Sequence, residues 1–283
     1  MGIDDRVIAA RFPRSAAYNP AWVSENGFGG NPLWQCEWLC ETLRLAPGMR
    51  VLDLGCGRAK SSIFLAREFG VEVWAVDLWV GATENWQRVR DAGLEGRVTP
   101  LHADARGLPF AGEFFDAIVA VDSYSYFGGD PLYLNYLAHF VKVGGQIGIV
   151  GAGIVEDWSG DVPEHLRANW GQDWWGLQSH RAWRRLWERT GIVDVEAADA
   201  MDQGWQFRVE WHRRCWPDNG DEIAVLEADA GRRLGYVRVV GRRRPGVALA
   251  DYAWPDALKS MPASYERVPL LRTAEAEAPS GEA

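Results

Sequence analysis

Val51-Leu52-Asp53-Leu54-Gly55-Cys56-Gly57 is the stretch on which the reading of the fold turns. Three apolar residues around one acid make a buried strand, and two glycines one residue apart make a tight turn. A helix-compatible segment follows. A second apolar run, Val73-Trp74-Ala75-Val76, then ends on Asp77, twenty residues after Gly57. Strand, glycine turn, helix, strand and terminal acid is the layout in which an α/β protein cradles a nucleoside. The glycines let the backbone approach a ligand closely, and the acid can accept hydrogen bonds from both ribose hydroxyls.

A nicotinamide dinucleotide and S-adenosylmethionine (SAM) both answer to that layout. The dinucleotide fingerprint wants a third small residue where the helix packs on the strand, and this chain has Lys60 there. Asp53, at the end of the first strand, gives nothing to a pyrophosphate but suits the ammonium of a bound amino acid. Residues 51–57 resemble the first motif of class I SAM-dependent methyltransferases, hydrophobic-hydrophobic-Asp-hydrophobic-Gly-Cys-Gly. Further segments fall in the family's order. Val98–Ala105 reads as a third strand ending at Asp104, and Leu108-Pro109-Phe110 leads into a fourth, Phe114–Asp122. Phe140–Val150 reads as a helix end, a glycine turn at Gly144-Gly145 and a fifth strand, with Val143 where the family usually has proline. The resemblance covers about residues 45–155.

The resemblance implies a Rossmann-like, seven-stranded, mostly parallel sheet with helices on both faces and helical cap insertions. It implies SAM as cofactor, held by Asp53, Gly55, Gly57, Asp77, Leu78, Asp104, Ala105 and Asp122. Asp53 would meet the ammonium and Asp77 the ribose, with Leu78 or Trp79 on an adenine face. Asp104 would accept from the adenine amine and the Ala105 N–H would donate to the ring. Asp122 would face the reacting methyl, with Tyr124 and Tyr126 beside the acceptor.

The composition bounds the partners. The chain has 283 residues, a net charge of −9 and a pI near 5.1. Its lysines are Lys60, Lys142 and Lys259, so the clustered positive surface that bulk nucleic acid requires is missing. No run reaches the roughly 18 apolar residues of a membrane span, and the acids at Asp4 and Asp5 speak against a signal peptide. Cys36, Cys40, Cys56 and Cys215 show no paired metal spacing, so no metal is expected. Thiols used as small hydrophobes point to a reducing compartment, the cytoplasm. A small-molecule acceptor is the expected partner, and a homodimer is left open.

Along the chain we expect an N-terminal lid and helix at 1–45, a cofactor-binding core at 46–155, an acceptor cap with the last strands at 156–244, and an extension at 245–283. Residues 1–31 read as irregular, hinged at Gly27–Gly30. Asn31-Pro32 caps a helix running to about Leu45, and Ser179 caps one through Trp183 and Trp187. Residues 192–198 and 235–243 read as the last strands, with helices near 205–214 and 221–233 between them. The tail from Arg272 reads as disordered.

Sixteen tryptophans are unusual for 283 residues. Trp170, Trp174 and Trp175 are the candidates for an acceptor pocket, where aromatic faces suit a flat or cationic molecule. His165, His180 and His212 lie in the same region; His180 is the candidate general base, with Tyr126 orienting the acceptor. The expected activity is methyl transfer from SAM to a small molecule, aromatic or cationic, at nitrogen, oxygen or aromatic carbon. The alternatives are a nicotinamide-dependent oxidoreductase and a non-catalytic SAM-binding protein.

Overall fold

The chain begins with α1 (Asp5–Arg11), a single 3-10 turn (Ser15–Ala17), α2 (Pro20–Ser24) and α3 (Pro32–Cys40). The alternating core follows as β1 (Arg50–Leu54), α4 (Lys60–Phe69), β2 (Glu72–Asp77), α5 (Ala82–Asp91), β3 (Val98–His102), β4 (Phe115–Val121), α6 (Pro131–Ala138) and β5 (Val141–Ile154). The last part holds α7 (Glu164–Arg167), α8 (Gln172–Trp175), α9 (His180–Glu188), β6 (Val193–Ala200), α10 (Gly204–Cys215), α11 (Gly220–Asp229) and β7 (Leu234–Arg243). In this computed structural model the described residues are 2–27, 29–218 and 220–250. The C-terminal extension beyond Ala250, with the disorder expected from Arg272, lies outside them.

One seven-stranded sheet runs in the order β3-β2-β1-β4-β5-β7-β6. β1 to β5 are mutually parallel, and β7 inserts antiparallel between β5 and β6. Strand order reverses between β1 and β4, and the crevice at that switch point, outside the carboxyl ends of the strands, is where such sheets bind ligands. Val51, Leu52 and Leu54 are fully buried, as a central parallel strand covered on both faces must be. β3 tolerates Pro100 because it is an edge strand.

Three expectations change. Residues 1–31 are not irregular. Asp4 accepts from the Arg6 N–H to cap α1, and Asn19 accepts from the Ala21 N–H to cap α2, whose first residue is Pro20. Phe12 is fully buried and stacks on Trp34 at 5.6 Å, so this segment belongs to the main core. The helix from Asn31 stops at Cys40 rather than near Leu45. Gly144-Gly145 makes no turn between helix and strand but an irregularity within β5. Val141 pairs with Phe115 before it and Gln146 with Ala117 after it.

A second apolar cluster joins Ile154, Leu166, Trp174, Leu177, Val209, Leu226 and Leu234, with Trp158 and Trp170 packed against it. The tryptophan-rich stretch is thus largely a core beneath α7, α10 and α11. Among the described residues no helix is long and apolar enough to cross a membrane.

Candidate active site

The glycine turn is anchored from β2. Gly55 and Gly57 take φ of +73° and +52°, a left-handed region where a Cβ costs about 1–2 kcal/mol. The Gly55 and Cys56 N–H groups both donate to the Val76 carbonyl, at 2.8 and 3.0 Å. Asp77 closes the arrangement. Its Oδ2 accepts from the Gly57 N–H at 2.7 Å, and its Oδ1 from the Trp79 and Val80 N–H groups at 2.8 Å each. A carboxylate has about four acceptor sites, so three backbone bonds leave it limited capacity for a ribose. Asp77 therefore orders both loops that a nucleoside would touch.

Asp53 is fully buried. Its Oδ2 accepts from the Ser61 and Ser62 hydroxyls, both at 2.6 Å, at the start of α4. Oδ1 has no hydrogen-bond partner. Burial pushes its pKa up to about 6, and the two serine hydroxyls oppose that rise. An ammonium could meet it only through Oδ1.

On the β3 side, the two oxygens of Asp104 are held by the Arg106 guanidinium at 3.0 and 2.8 Å, so an adenine amine must share Asp104 with it. The Ala105 carbonyl accepts from the Tyr133 hydroxyl, and the Leu78 carbonyl meets His102 Nε2 at 2.7 Å. Trp79 and Tyr126 are both more than half exposed and meet edge to face at 5.3 Å. Trp175, also exposed, ends α8. A Cβ on the next residue, Gly176, would stand 3.1 Å from the Ser125 carbonyl. Trp79, Tyr126 and Trp175 thus rim the strand ends.

Asp122 follows β4 in a left-handed conformation, φ +54°. Its Oδ2 accepts from the Gly30 N–H at 2.6 Å and its Oδ1 from the Ala152 N–H at 3.0 Å. It thereby ties the N-terminal segment to the sheet. Three further residues hold that segment. Lys60 Nζ donates to the Val23 and Glu25 carbonyls at 2.7 and 2.6 Å, Arg58 Nε to the Asn26 carbonyl at 3.0 Å, and Trp211 Nε1 to the Gly29 carbonyl at 3.1 Å. Lys60 thus satisfies carbonyls at the end of α2, and burial lowers its pKa to about 8.

Four expected site residues are not brought to the strand ends. Tyr124 is buried, its ring edge to face with Phe127, Tyr133, Trp183 and Trp187; the 3-10 turn after β4 points it into the core. Trp170 and Trp174 pack on each other at 6.0 Å within the second cluster. His180 opens α9, where the charges acting on it are those of Arg181, Asp199, Asp157 and Glu156. β5 runs four residues past Val150, which pairs with the end of β4, or about 13 Å at strand rise. His180 lies beside that overhang, because the residue before it bridges Ile154. Burial lowers its pKa, and its Nδ1 is buried without a hydrogen-bond partner. His165 pairs with the buried Asp229 at 2.8 Å.

The structure adds a group the sequence reading did not assemble. Gln35 on α3, Arg208 and His212 on α10, and Tyr236 on β7 are buried, at 0%, 6%, 5% and 0% exposure. Gln35 Nε2 and Oε1, Arg208 Nη1, His212 Nδ1 and Tyr236 Oη have no hydrogen-bond partner. Each such atom, left dry, costs about 1–3 kcal/mol. A Cβ on Gly30 would run into Gln35 Nε2 and come within 2.6 Å of Tyr236 Oη, so these two atoms share one spot. Asp122, Arg208 and Glu222 all act electrostatically on both Tyr236 and His212. Arg208 and His212 fall one helical turn apart, the signal that could have paired them. Among the described residues no group of three or more His, Cys, Asp or Glu side chains could hold a metal ion.

Residues 51–145 match the family described as a methyltransferase domain. The methyltransferase GfsG of Streptomyces halstedii is 36% identical over 114 residues, which are 40% of this chain and 41% of that protein. Phosphoethanolamine N-methyltransferase 1 of Arabidopsis thaliana is 26% identical over 173 residues, 59% of this chain and 33% of that one. The chain thus spans less than half the length of these relatives. Geranyl diphosphate C-methyltransferase from Streptomyces coelicolor A3(2) superposes with a TM-score of 0.61 at 22% identity, over 74% of this chain and 78% of that one; this likeness shows the fold. The motif at Val51–Gly57 and the strand order agree with the methyltransferase domain matched at residues 51–145.

Proposed function

We propose that the protein binds SAM at the carboxyl ends of β1 to β4 and moves its methyl group to a small-molecule acceptor. One observation carries this reading. Four adjacent parallel strands each run into an aspartate, Asp53, Asp77, Asp104 and Asp122, around a turn whose two glycines hold left-handed angles. The residues fit the cofactor. Gly55 and Gly57 keep the turn open to close approach, Asp53 Oδ1 is a buried acceptor without a partner, and Trp79 lies exposed beside Asp77 as a face for a base. The solved relative from Streptomyces coelicolor was crystallised with S-adenosyl-L-homocysteine, which supports the choice of nucleoside.

SAM supplies an already activated methyl group, so this chain's contribution is placement. Holding a nucleophile in line can remove about 7–11 kcal/mol of barrier. Asp77 fixes the loops on either side of the nucleoside, Asp122 fixes the floor and the N-terminal segment together, and that segment keeps water from the crevice. A base is required only if the acceptor loses a proton, and none is assigned. Tyr126 and Trp175, with Trp79, line the entrance an acceptor must pass. We read the chain as cytoplasmic and its partner as a small molecule rather than bulk nucleic acid, from four free thiols and the acidic composition.

Calorimetric titration with S-adenosylhomocysteine tests the reading. The wild type should bind one equivalent, and Asp77→Ala should bind at least about tenfold more weakly, a loss of about 1.4 kcal/mol, with its circular dichroism unchanged. Equal affinity in the two proteins would defeat the assignment.

A further inference from the structure

The inference here deepens the proposed function and rests on it: it concerns the acceptor of the same site. Gln35, Arg208, His212 and Tyr236 come from three elements, α3, α10 and β7, that the chain brings together behind Asp122. All four are more than nine-tenths buried, and all four hold at least one polar atom without a partner. Native proteins satisfy nearly all such groups, and five of the nine such atoms among the described residues belong to these four side chains, beside the residue that follows β4 and under Gly30.

We propose that these four side chains form the acceptor subsite, and that it takes an uncharged acceptor carrying both a carbonyl and a hydroxyl oxygen. Hydrogen-bond inventory sets the carbonyl. Arg208 Nη1 and Gln35 Nε2 are donors only, and an acceptor's carbonyl oxygen would meet them. Gln35 Oε1 and, with Nε2 turned to Glu222, His212 Nδ1 accept, and an acceptor's hydroxyl would donate to them. Charge sets neutrality. The fixed charges of the cluster are the Arg208 guanidinium and the carboxylates of Glu222 and Asp122. Glu222 Oε1 already lies 3.0 Å from Arg208 Nη2 and 3.5 Å from His212 Nε2. An anionic acceptor would face two carboxylates with one cation already paired. A cationic one would be buried against the guanidinium and, with SAM bound, beside a second positive charge, the sulfonium; these two would balance the two carboxylates. A hydroxyl suits Asp122, whose oxygens carry one backbone donor each. This departs from the cationic acceptor that the tryptophans suggest; Trp174 backs the subsite from the second cluster, its ring centre 5.6 Å from the Arg208 guanidinium.

Three phenols that differ in one meta substituent, a neutral acetyl, an anionic carboxylate or a cationic aminomethyl group, decide the matter: 3-hydroxyacetophenone, 3-hydroxybenzoate and 3-hydroxybenzylamine. Each is titrated by ligand-observed saturation-transfer NMR against the full chain saturated with S-adenosylhomocysteine. The neutral hydroxy ketone should bind at least about tenfold more tightly than the carboxylate and the amine, roughly 1.4 kcal/mol. That preference should vanish in Tyr236→Phe and Arg208→Met while S-adenosylhomocysteine affinity holds. Tyr236→Phe removes one hydroxyl and leaves the buried ring in place, so it should fold, and it carries the test should Arg208→Met fold poorly. A preference for either charged probe overturns the proposal. So does a preference that survives in Tyr236→Phe, or no binding of any probe to a protein that still binds S-adenosylhomocysteine. A wild type that does not bind S-adenosylhomocysteine brings down the cofactor reading itself, and the acceptor subsite with it.

Discussion

The two halves of the crevice handle their polar groups in opposite ways. On the β1–β2 side, Asp77 accepts three backbone N–H groups and Asp53 two serine hydroxyls. On the β5–β7 side, the amide of Gln35, the Tyr236 hydroxyl and one nitrogen each of Arg208 and His212 accept or donate nothing. The first half is ordered before any ligand arrives, because Asp77 braces both loops and Asp53 the start of α4, with Asp53 Oδ1 left unpartnered. The second half carries an unmet polar demand that a ligand would meet. A preorganised nucleoside side beside an unsatisfied acceptor side fits an enzyme that uses one donor and selects its acceptor.

The largest expected effect tests the braced half. Asp77→Ala removes three bonds to a carboxylate, each worth roughly 1.5–3 kcal/mol. S-adenosylhomocysteine affinity should fall between about tenfold and several hundredfold in calorimetry, and hydrogen exchange should quicken at Gly57, Trp79 and Val80. If affinity falls without faster exchange, Asp77 binds the ligand directly and is not a brace.

The next tests the unsatisfied half. Gly30→Ala places a methyl between Gln35 Nε2 and Tyr236 Oη. It should abolish binding of 3-hydroxyacetophenone, a loss of at least about tenfold, and leave S-adenosylhomocysteine affinity within about twofold, near 0.4 kcal/mol. Equal loss of both ligands would merge the two halves into one.

Asp53 gives the comparison a pH dependence. Its pKa is raised to about 6 by burial, so the folded state holds its proton at pH values where the unfolded chain has released it. That contribution to stability is fully present below the ordinary carboxylate range and is lost as pH rises through about 6. Binding of a cationic ammonium runs the other way. S-adenosylhomocysteine affinity should be level above about pH 6 and fall by up to about tenfold per pH unit below it. Asp53→Asn should flatten the dependence, as read by titration at stepped pH. A wild-type affinity that does not change between pH 5 and 7 would detach Asp53 from the ammonium.

The smallest effect concerns the cover over both halves. Lys60→Met removes two bonds to the Val23 and Glu25 carbonyls. Exchange across residues 20–30 should rise a few-fold without ligand. Unchanged exchange would assign the hold on this segment to Asp122 and Trp211.

The braced half was legible in the sequence because its signals are local. An apolar run, two glycines and a terminal acid lie within about thirty residues, and the parallel strands repeat the theme at Asp104 and Asp122. The unsatisfied half was not, because Gln35 and Tyr236 stand some two hundred residues apart and meet only through packing of α3 on β5 and of α10 on β7. Two local signals were outweighed. The caps Asp4 and Asn19-Pro20 lost to the loop character of Pro13 and the glycines, so α1 and α2 were missed. The pair Gly144-Gly145 reads equally as a turn or a bulge, and only the pairing of Val141 with Phe115 decides for the bulge. The places of His180, Trp170 and Trp174 were not legible, for a common reason. Residue type suggested chemistry, while burial in the second cluster and the overhang of β5 set their places.

If the strand ends at Asp53, Gly57 and Asp77 hold a SAM-type nucleoside, competitive calorimetry of the full chain against S-adenosylhomocysteine and NADH should show it. Saturable, one-to-one binding of S-adenosylhomocysteine that excess NADH does not displace is expected. Binding of NADH with no heat from S-adenosylhomocysteine would contradict it.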